Sequence, residues 1–247
     1  MISVEGVTKR YGEVTAVDDL SFTVDRGEVV GFLGPNGAGK TTTMRMITGT
    51  LQPDQGVVLF DGAPIADDLT AAKRRVGYLP EANPLYDEML VAEYLEHVAD
   101  LRGLSLEQTR SGIGDSVDET GLGEVFYRPI RECSKGYRQR IGLAGAILHK
   151  PEVLVLDEPT VGLDPVLRAD LWDRFTELAR GGTTLLVSSH VMDEADHCAD
   201  LLLMRDGRIL AHTTPTRLRK DTGCQSLEEA FLTVIRRGTA AEAAPTR

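Results

Sequence analysis

Apolar and polar positions alternate through "ISVEGVTKRY" (2–11) and "LSFTVDRG" (20–27), the two-residue period of half-buried strands, with polar turns between them. "EVVGFLG" (28–34) then runs apolar into a glycine-rich loop, and "KTTTMRMITG" (40–49) continues as a helix with a glycine stop at Gly49. "GVVLFDGAPI" (56–65) and "RRVGYLPE" (74–81) read as two further strands. From Asn83 the period changes. Leu90, Tyr94, Leu95, Val98 and Leu101 recur at helical spacing, and "SLEQTRSGIGDSVDETGL" (105–122) predicts a second helix. "EVLVLDEP" (152–159) restores a buried strand, "VLRADLWDRFTELAR" (166–180) a helix, and "TTLLVSSH" (183–190) another buried strand. Apolar runs alternating with amphipathic helices imply an α/β fold whose parallel sheet is covered on both faces. The pattern divides the chain into a discontinuous core, 1–82 with 143–238, a helical insert over 83–142, and a tail, 239–247, too poor in apolar residues to pack.

Composition narrows the class. Of 247 residues 42% are hydrophobic, and 38 acidic against 27 basic side chains give a net charge of −11, which argues against bulk attraction to nucleic acid or an anionic lipid surface. The longest apolar clusters, "VLVL" and "LLLM", are strand-sized, and "MISVEGVTKRYG" has no basic region leading into an apolar stretch, so a cytoplasmic protein is expected. Cys133, Cys198 and Cys224 are odd in number and widely spaced, as reduced thiols filling apolar space would be.

The chemistry is concentrated in two motifs. "GPNGAGKTT" (34–42) fits the P-loop pattern, with Gly34, Gly39, Lys40 and Thr41 in its four defined positions, between a predicted strand and a predicted helix. Its glycines let backbone N–H groups turn inward around a phosphate, and the helix presents its positive end. Lys40 would set a cation on the phosphate oxygens, and the Thr41 hydroxyl would ligate Mg2+. In "VLVLDEP" a buried strand ends in adjacent carboxylates, delivered to the carboxyl end of the sheet where ligands bind in open α/β folds. Asp157 would hold Mg2+, and Glu158, pointing the other way out of the strand, would orient or deprotonate an attacking water.

With these motifs in this order the chain resembles the ATP-binding subunit of an ABC transporter, over nearly its whole length. The resemblance implies a P-loop NTPase (RecA-like) parallel-sheet core with an N-terminal antiparallel β subdomain. It implies ATP and Mg2+ as ligands, held by Gly34, Pro35, Asn36, Gly37, Ala38, Gly39, Lys40, Thr41 and Thr42, with Tyr11 in "KRYGEVTAV" stacked on adenine. Glu158, His190 and Lys40 take catalytic roles, His190 in "LLVSSH" as the switch histidine. Asp164 in "PTVGLDP" is the acidic residue of the D-loop, and Glu81 in "GYLPEAN" stands where the family carries a Mg2+-sensing glutamine, so Thr41, Asp157 and Glu81 form the implied metal set.

"CSKGY" (133–137) occupies the place of the family signature LSGGQ, of which Ser134 and Gly136 keep the hydroxyl and the glycine at a helix start. In the family that helix end faces the P-loop of a second subunit, so one copy of each motif implies pairing with itself or a similar chain. The signature departs from the pattern at Cys133, Lys135 and Tyr137. Lys135 is expected to point to solvent, and Arg138 and Arg140 to form a solvated basic patch. "GYLPE", "SKGYRQR" and "SLEEAFL" resemble the branch serving ABC-2 type exporters, which implies a separate integral membrane permease, peripheral placement at the cytoplasmic face of the membrane and no direct lipid insertion. A soluble ATPase of the same type acting in cofactor assembly is the alternative. A GTPase is disfavoured because no NKxD sequence occurs. His97, His149, His197 and His212 are expected to be structural or solvated.

Overall fold

The computed structural model describes residues 1–242, with side chains to 236 apart from that at 193. The chain forms two compact units, Met1–Leu69 together with the chain from Leu186, and Thr70–Leu185.

In the first unit, β1 (Ile2–Tyr11) and β2 (Val14–Val24) make an antiparallel hairpin that closes on Tyr11 opposite Val14, with Gly12 at φ 61° in the turn. The buried members of the alternating pattern, Val4, Val7, Val17, Leu20 and Phe22, line one apolar face, and Phe22 meets Phe32 edge-on at 5.3 Å. All five residues of β3 (Val29–Leu33) are buried, as in a strand covered on both faces. The phosphate-loop sequence leads from it into α1 (Lys40–Ile47). The stretch 56–65, expected as one strand, is a hairpin of β4 (Gln55–Phe60) and β5 (Ala63–Pro64). Asp61 and Gly62 stand at φ 51° and 82°, the left-handed pair that a two-residue hairpin turn requires. β4 lies on β1, completing a four-stranded antiparallel sheet in the order β2-β1-β4-β5.

The second unit opens with α2 (Leu69–Arg74) and β6 (Val76–Leu79) and contains α3 (Val91–Arg102), α4 (Leu106–Thr120), α5 (Lys135–Ile147), β7 (Val153–Asp157) and α6 (Pro165–Arg180), ending in β8 (Thr184–Ser189), where the chain passes back to the first unit. β6 and β7 pair in parallel from Val76/Val153 to Leu79/Leu156, and the three helices between them bury a cluster built on Val91, Leu95, Leu122, Ile130, Ile141 and Leu148. Ser105 and Gln108 form a reciprocal capping box at the start of α4, so the predicted helix begins where its sequence says. α5 is unusual in carrying Gly136, Gly142 and Gly145 among 13 residues. Each glycine in a helix interior costs about 1 kcal/mol against alanine, and here each has a neighbour in the space of its missing side chain: Leu167, Asn83 and Tyr94.

Returning to the first unit, β9 (Asp200–Arg205) pairs in parallel with β3 and antiparallel with β10 (Arg208–Thr213). α7 (Pro215–Thr222) and α8 (Leu227–Glu242) complete it. Of the expected structureless tail, 239–242 continue α8, and 243–247 lie outside the described residues.

Candidate functional site

The sequence-predicted residues are distributed over both units, and each set is built by its own element. In the first unit, the loop from Gly34 to Gly39 turns between β3 and α1. A Cβ on Gly34 would collide with the Met204 carbonyl, and one on Gly39 would stand 2.6 Å from the Ala16 carbonyl, while Gly39 holds φ 99°. Only glycine satisfies both the close approach and the left-handed backbone there. Gly39 is the N-cap of α1 and has no side chain with which to close the helix end. Pro35, Asn36 and Gly37 are exposed, and Ala38 is buried with its N–H on the Pro35 carbonyl at 3.2 Å. Lys40 is buried, with 6% of its surface exposed, and its ammonium donates to the carbonyls of Gly34 at 2.8 Å and Pro35 at 3.3 Å. A cation is thus held directly across the loop it is expected to serve. Thr41 and Thr42 follow on the first turn of α1, both half-buried.

Tyr11 closes the β1–β2 hairpin, with 48% of its surface exposed and its ring available for stacking. His190 is exposed immediately after β8. Its loop is set by two residues that the sequence reading did not single out. The Ser189 hydroxyl donates to the Glu194 carboxylate at 2.7 Å and accepts from the Val191 N–H at 2.9 Å, bracketing His190 from both sides. Ser189 and Glu194 are 3% and 2% exposed, so this is a buried polar clamp. Its sequence signal was only a serine ahead of an acidic stretch, "SSHVMDEA", which reads equally well as a polar loop.

In the second unit, Asp157 ends β7 fully buried, and Glu158 follows, 7% exposed. Glu158 stands at φ 50°, a left-handed backbone that is strained for a non-glycine residue by about 1–3 kcal/mol. Its carbonyl accepts from Val161 at 3.2 Å, so the chain turns sharply at the carboxylate pair. Asp164 caps α6, its Oδ1 accepting from the N–H groups of Val166 and Leu167 at 3.0 Å each, with Pro165 in the first helical turn.

Ser134 caps α5, its hydroxyl accepting from the Tyr137 N–H at 3.3 Å, and it remains exposed. A Cβ on Gly136 would meet Leu167 Cδ1 at 2.7 Å, which brings the first turns of α5 and α6 together. The Lys135 ammonium lies against Gly162, in the loop before α6. Lys135 is exposed, as expected of a solvent-facing side chain, and its ammonium also rests on that loop. The expected solvated basic patch, in contrast, needs correction. Arg138 pairs with Asp87 at 2.7 Å and donates to the Ile130 carbonyl, and Arg140 reaches Asp170 at 3.5 Å and the Tyr137 ring at 5.9 Å. Glu81 is exposed in a turn after β6.

The remaining titratable groups behave as fillers or structural partners. Burial pushes the Cys198 thiol up to about 12 and raises that of Cys133. Burial, reinforced by the Arg102 charge, lowers His149 to about 4, so its ring is neutral at pH 7, with Nε2 3.1 Å from the Val76 carbonyl. His212 pairs with Asp200, and His97 packs edge-on against Tyr86 at 5.6 Å.

A family model described as ABC transporter matches residues 17–161. The Nod factor export ATP-binding protein I of Ralstonia nicotianae is 40% identical over 230 residues, 92% of this chain and 72% of that protein. The daunorubicin resistance ATP-binding protein DrrA3 of Streptomyces coeruleorubidus is 39% identical over 223 residues, 90% of this chain and 71% of its own length. A solved structure of the ATP-binding subunit of an ABC transporter superposes with a TM-score of 0.85 at 30% identity, covering 95% of this chain and 99% of that one. The shared architecture is the P-loop NTPase fold. With the phosphate loop, the carboxylate-ended strand and the capped α5 in the family's order, the chain belongs to the ABC transporter family as one of its ATP-binding, ATP-hydrolysing subunits.

Proposed function

We propose that this subunit closes head-to-tail with a second copy, or a similar chain, around two Mg-ATP and so powers a separate membrane permease, in an exporter of the ABC-2 type. The observation that carries the pairing is the exposed face around the start of α5. Ser134 and Lys135 are exposed there, Gly136 and Leu167 join that end to the start of α6, and Val161 and Val166 are 36% and 71% exposed nearby in sequence. A helix N-terminus that presents a hydroxyl amid exposed apolar side chains is suited to receive another chain's phosphate. Among the described residues no helix is long and apolar enough to cross a membrane, so a transport role requires a partner that does. Export is supported by the Nod factor export and daunorubicin resistance for which the Ralstonia and Streptomyces relatives are named, and by "GYLPE" and "SKGYRQR".

In this reading Lys40 transfers its hydrogen bonds from the loop carbonyls to phosphate oxygens, and backbone N–H groups of the loop and of the start of α1 hold the rest of the phosphate chain. Thr41 and Asp157 offer the hard oxygen donors that suit Mg2+, a hydroxyl and a carboxylate, with Glu81 a second carboxylate for it, and the ion when bound would neutralise phosphate charge. Glu158 orients the attacking water from its strained backbone, and His190, fixed by Ser189 and Glu194, meets the charge that develops on the γ-phosphate. Tyr11 stacks on adenine, and Asp164 shapes the loop before α6 by capping it.

Light scattering on the Glu158→Gln protein tests the pairing: Mg-ATP should convert monomer to dimer, and turnover should fall about a hundredfold or more. An unchanged mass together with unimpaired turnover sinks the reading. Affinity capture of the same variant from gently solubilised cells should bring a polytopic membrane protein in roughly equal amount. A soluble assembly partner in its place would leave the ATPase chemistry but remove the permease.

A further inference from the structure

Gly142 sits in the third turn of α5, where alanine would be favoured by about 1 kcal/mol on helix propensity alone. The space of its missing side chain is filled by the Asn83 amide, since a Cβ there would come within 2.7 Å of both Cγ and Nδ2 of Asn83. From that seat Asn83 Nδ2 donates to the Arg138 carbonyl at 2.7 Å, and the Arg138 N–H in turn bonds the Ser134 carbonyl at 2.9 Å. At its other end Asn83 closes a turn, its N–H on the Pro80 carbonyl at 3.0 Å, and the two central residues of that turn are Glu81 and Ala82. Asn83 holds φ 39° immediately before Pro84. Asparagine is among the few residues that tolerate the left-handed region, and a following proline disfavours helical backbone, so the conformation needs an external tie.

We infer that Asn83 is a positioning residue: its amide, seated on Gly142, locks the turn bearing Glu81 to the first turn of the helix that Ser134 caps. A displacement at Glu81 is then delivered to Ser134 through two hydrogen bonds and one packed glycine. Two further ties run parallel to it, the Arg138–Asp87 ion pair at 2.7 Å and the Arg131 N–H on the Asp87 carbonyl at 3.0 Å, and they fix the segment after the turn rather than the turn itself. The inference rests on the proposed roles of Glu81 and Ser134 in the paired ATPase.

The test uses the purified full chain and four variants, Asn83→Gly alone serving as the background for the double variant. Asn83→Asp is isosteric, tolerates the same backbone and cannot donate to the Arg138 carbonyl. Gly142→Ala evicts the Asn83 amide. Asn83→Gly combined with Gly142→Ala gives the new methyl room. Steady-state turnover should fall about tenfold in each of the first two, while Mg-ATP affinity measured calorimetrically stays within about twofold, because the phosphate loop is untouched. Gly142→Ala should cost nothing further in the Asn83→Gly background, the non-additivity of one shared contact. Wild-type turnover in Asn83→Asp overturns the inference, as does a Gly142→Ala loss that is equally large with and without the Asn83 side chain. The Glu158→Gln protein, which retains Asn83, reports pairing separately. If ATP does not bring two copies of it together, the two-chain reading fails while the Asn83–Gly142 coupling is still decided by turnover.

Discussion

Two helices of this chain begin with a lysine in a glycine-rich motif, and they begin differently. α1 starts at Lys40 behind Gly39, with no side-chain cap and a lysine that is 6% exposed and turned back over its own loop. α5 starts at Lys135 behind Ser134, with the serine capping the helix and the lysine exposed against Gly162. In the proposed reading the first end serves a ligand inside its own loop. The second is capped locally and faces outward, so in the same reading it completes a site that another chain brings to it. One sequence device, a positive helix end, would then serve as a receptor in one place and as a contact in the other.

The contrast breaks most visibly at the lysines and glycines. Lys40→Ala removes a buried charge-assisted donor and should lower Mg-ATP affinity about a hundredfold by titration calorimetry. A loss of less than threefold would mean that the Lys40 end is not the receptor. Gly34→Ala comes next, because its Cβ meets the Met204 backbone carbonyl, which cannot swing aside. Overpacking of that kind costs about 1–3 kcal/mol, and both melting temperature and nucleotide affinity should drop. Gly136→Ala meets only the end of the Leu167 side chain, so its melting temperature should fall less than that of Gly34→Ala.

The same contrast explains what could be read in advance. The loop from Gly34 to Lys40 is legible because backbone geometry dictates its residues: Gly34 and Gly39 are each forced by a neighbouring carbonyl, and Lys40 bonds back to the carbonyls of Gly34 and Pro35. Strands β3 and β7 are legible because continuous burial demands continuous apolar sequence. Asp61–Gly62 carried a hairpin turn signal that the apolar run around it concealed. Asn83–Gly142 and Ser189–Glu194 left no local pattern, since each is a contact between residues whose partners are set by tertiary packing. Arg138 and Arg140 misled for a related reason: a charge run reads as solvated until the acidic partners, Asp87 and Asp170, arrive from another loop and helix.

Ser134 offers a sharper probe than the glycines. Ser134→Ala deletes the cap of α5 and should destabilise the fold by about 1 kcal/mol in denaturant titrations. Ser134→Asp keeps the cap, because aspartate closes helices as well as serine does, but places a carboxylate where a phosphate of the partner chain would arrive. Stability retained with turnover lost is the expected outcome for Ser134→Asp. Stability and turnover both retained would mean that no anion approaches this helix end.

The smallest effect belongs to Lys135. Its side chain is exposed and its ammonium rests on Gly162. Lys135→Ala should therefore shift unfolding free energy by no more than about 0.5 kcal/mol, as surface substitutions do. It should also leave the Mg-ATP affinity of the single chain unchanged, in direct contrast to Lys40→Ala. Any change should appear in turnover, and should shrink as salt is raised from about 50 to about 300 mM, because the screening length for an exposed charge falls from about 14 Å to about 6 Å over that range. If Lys135→Ala weakens nucleotide binding by the isolated chain as Lys40→Ala does, the two helix ends are not receptor and contact, and the division of labour between them has to be abandoned.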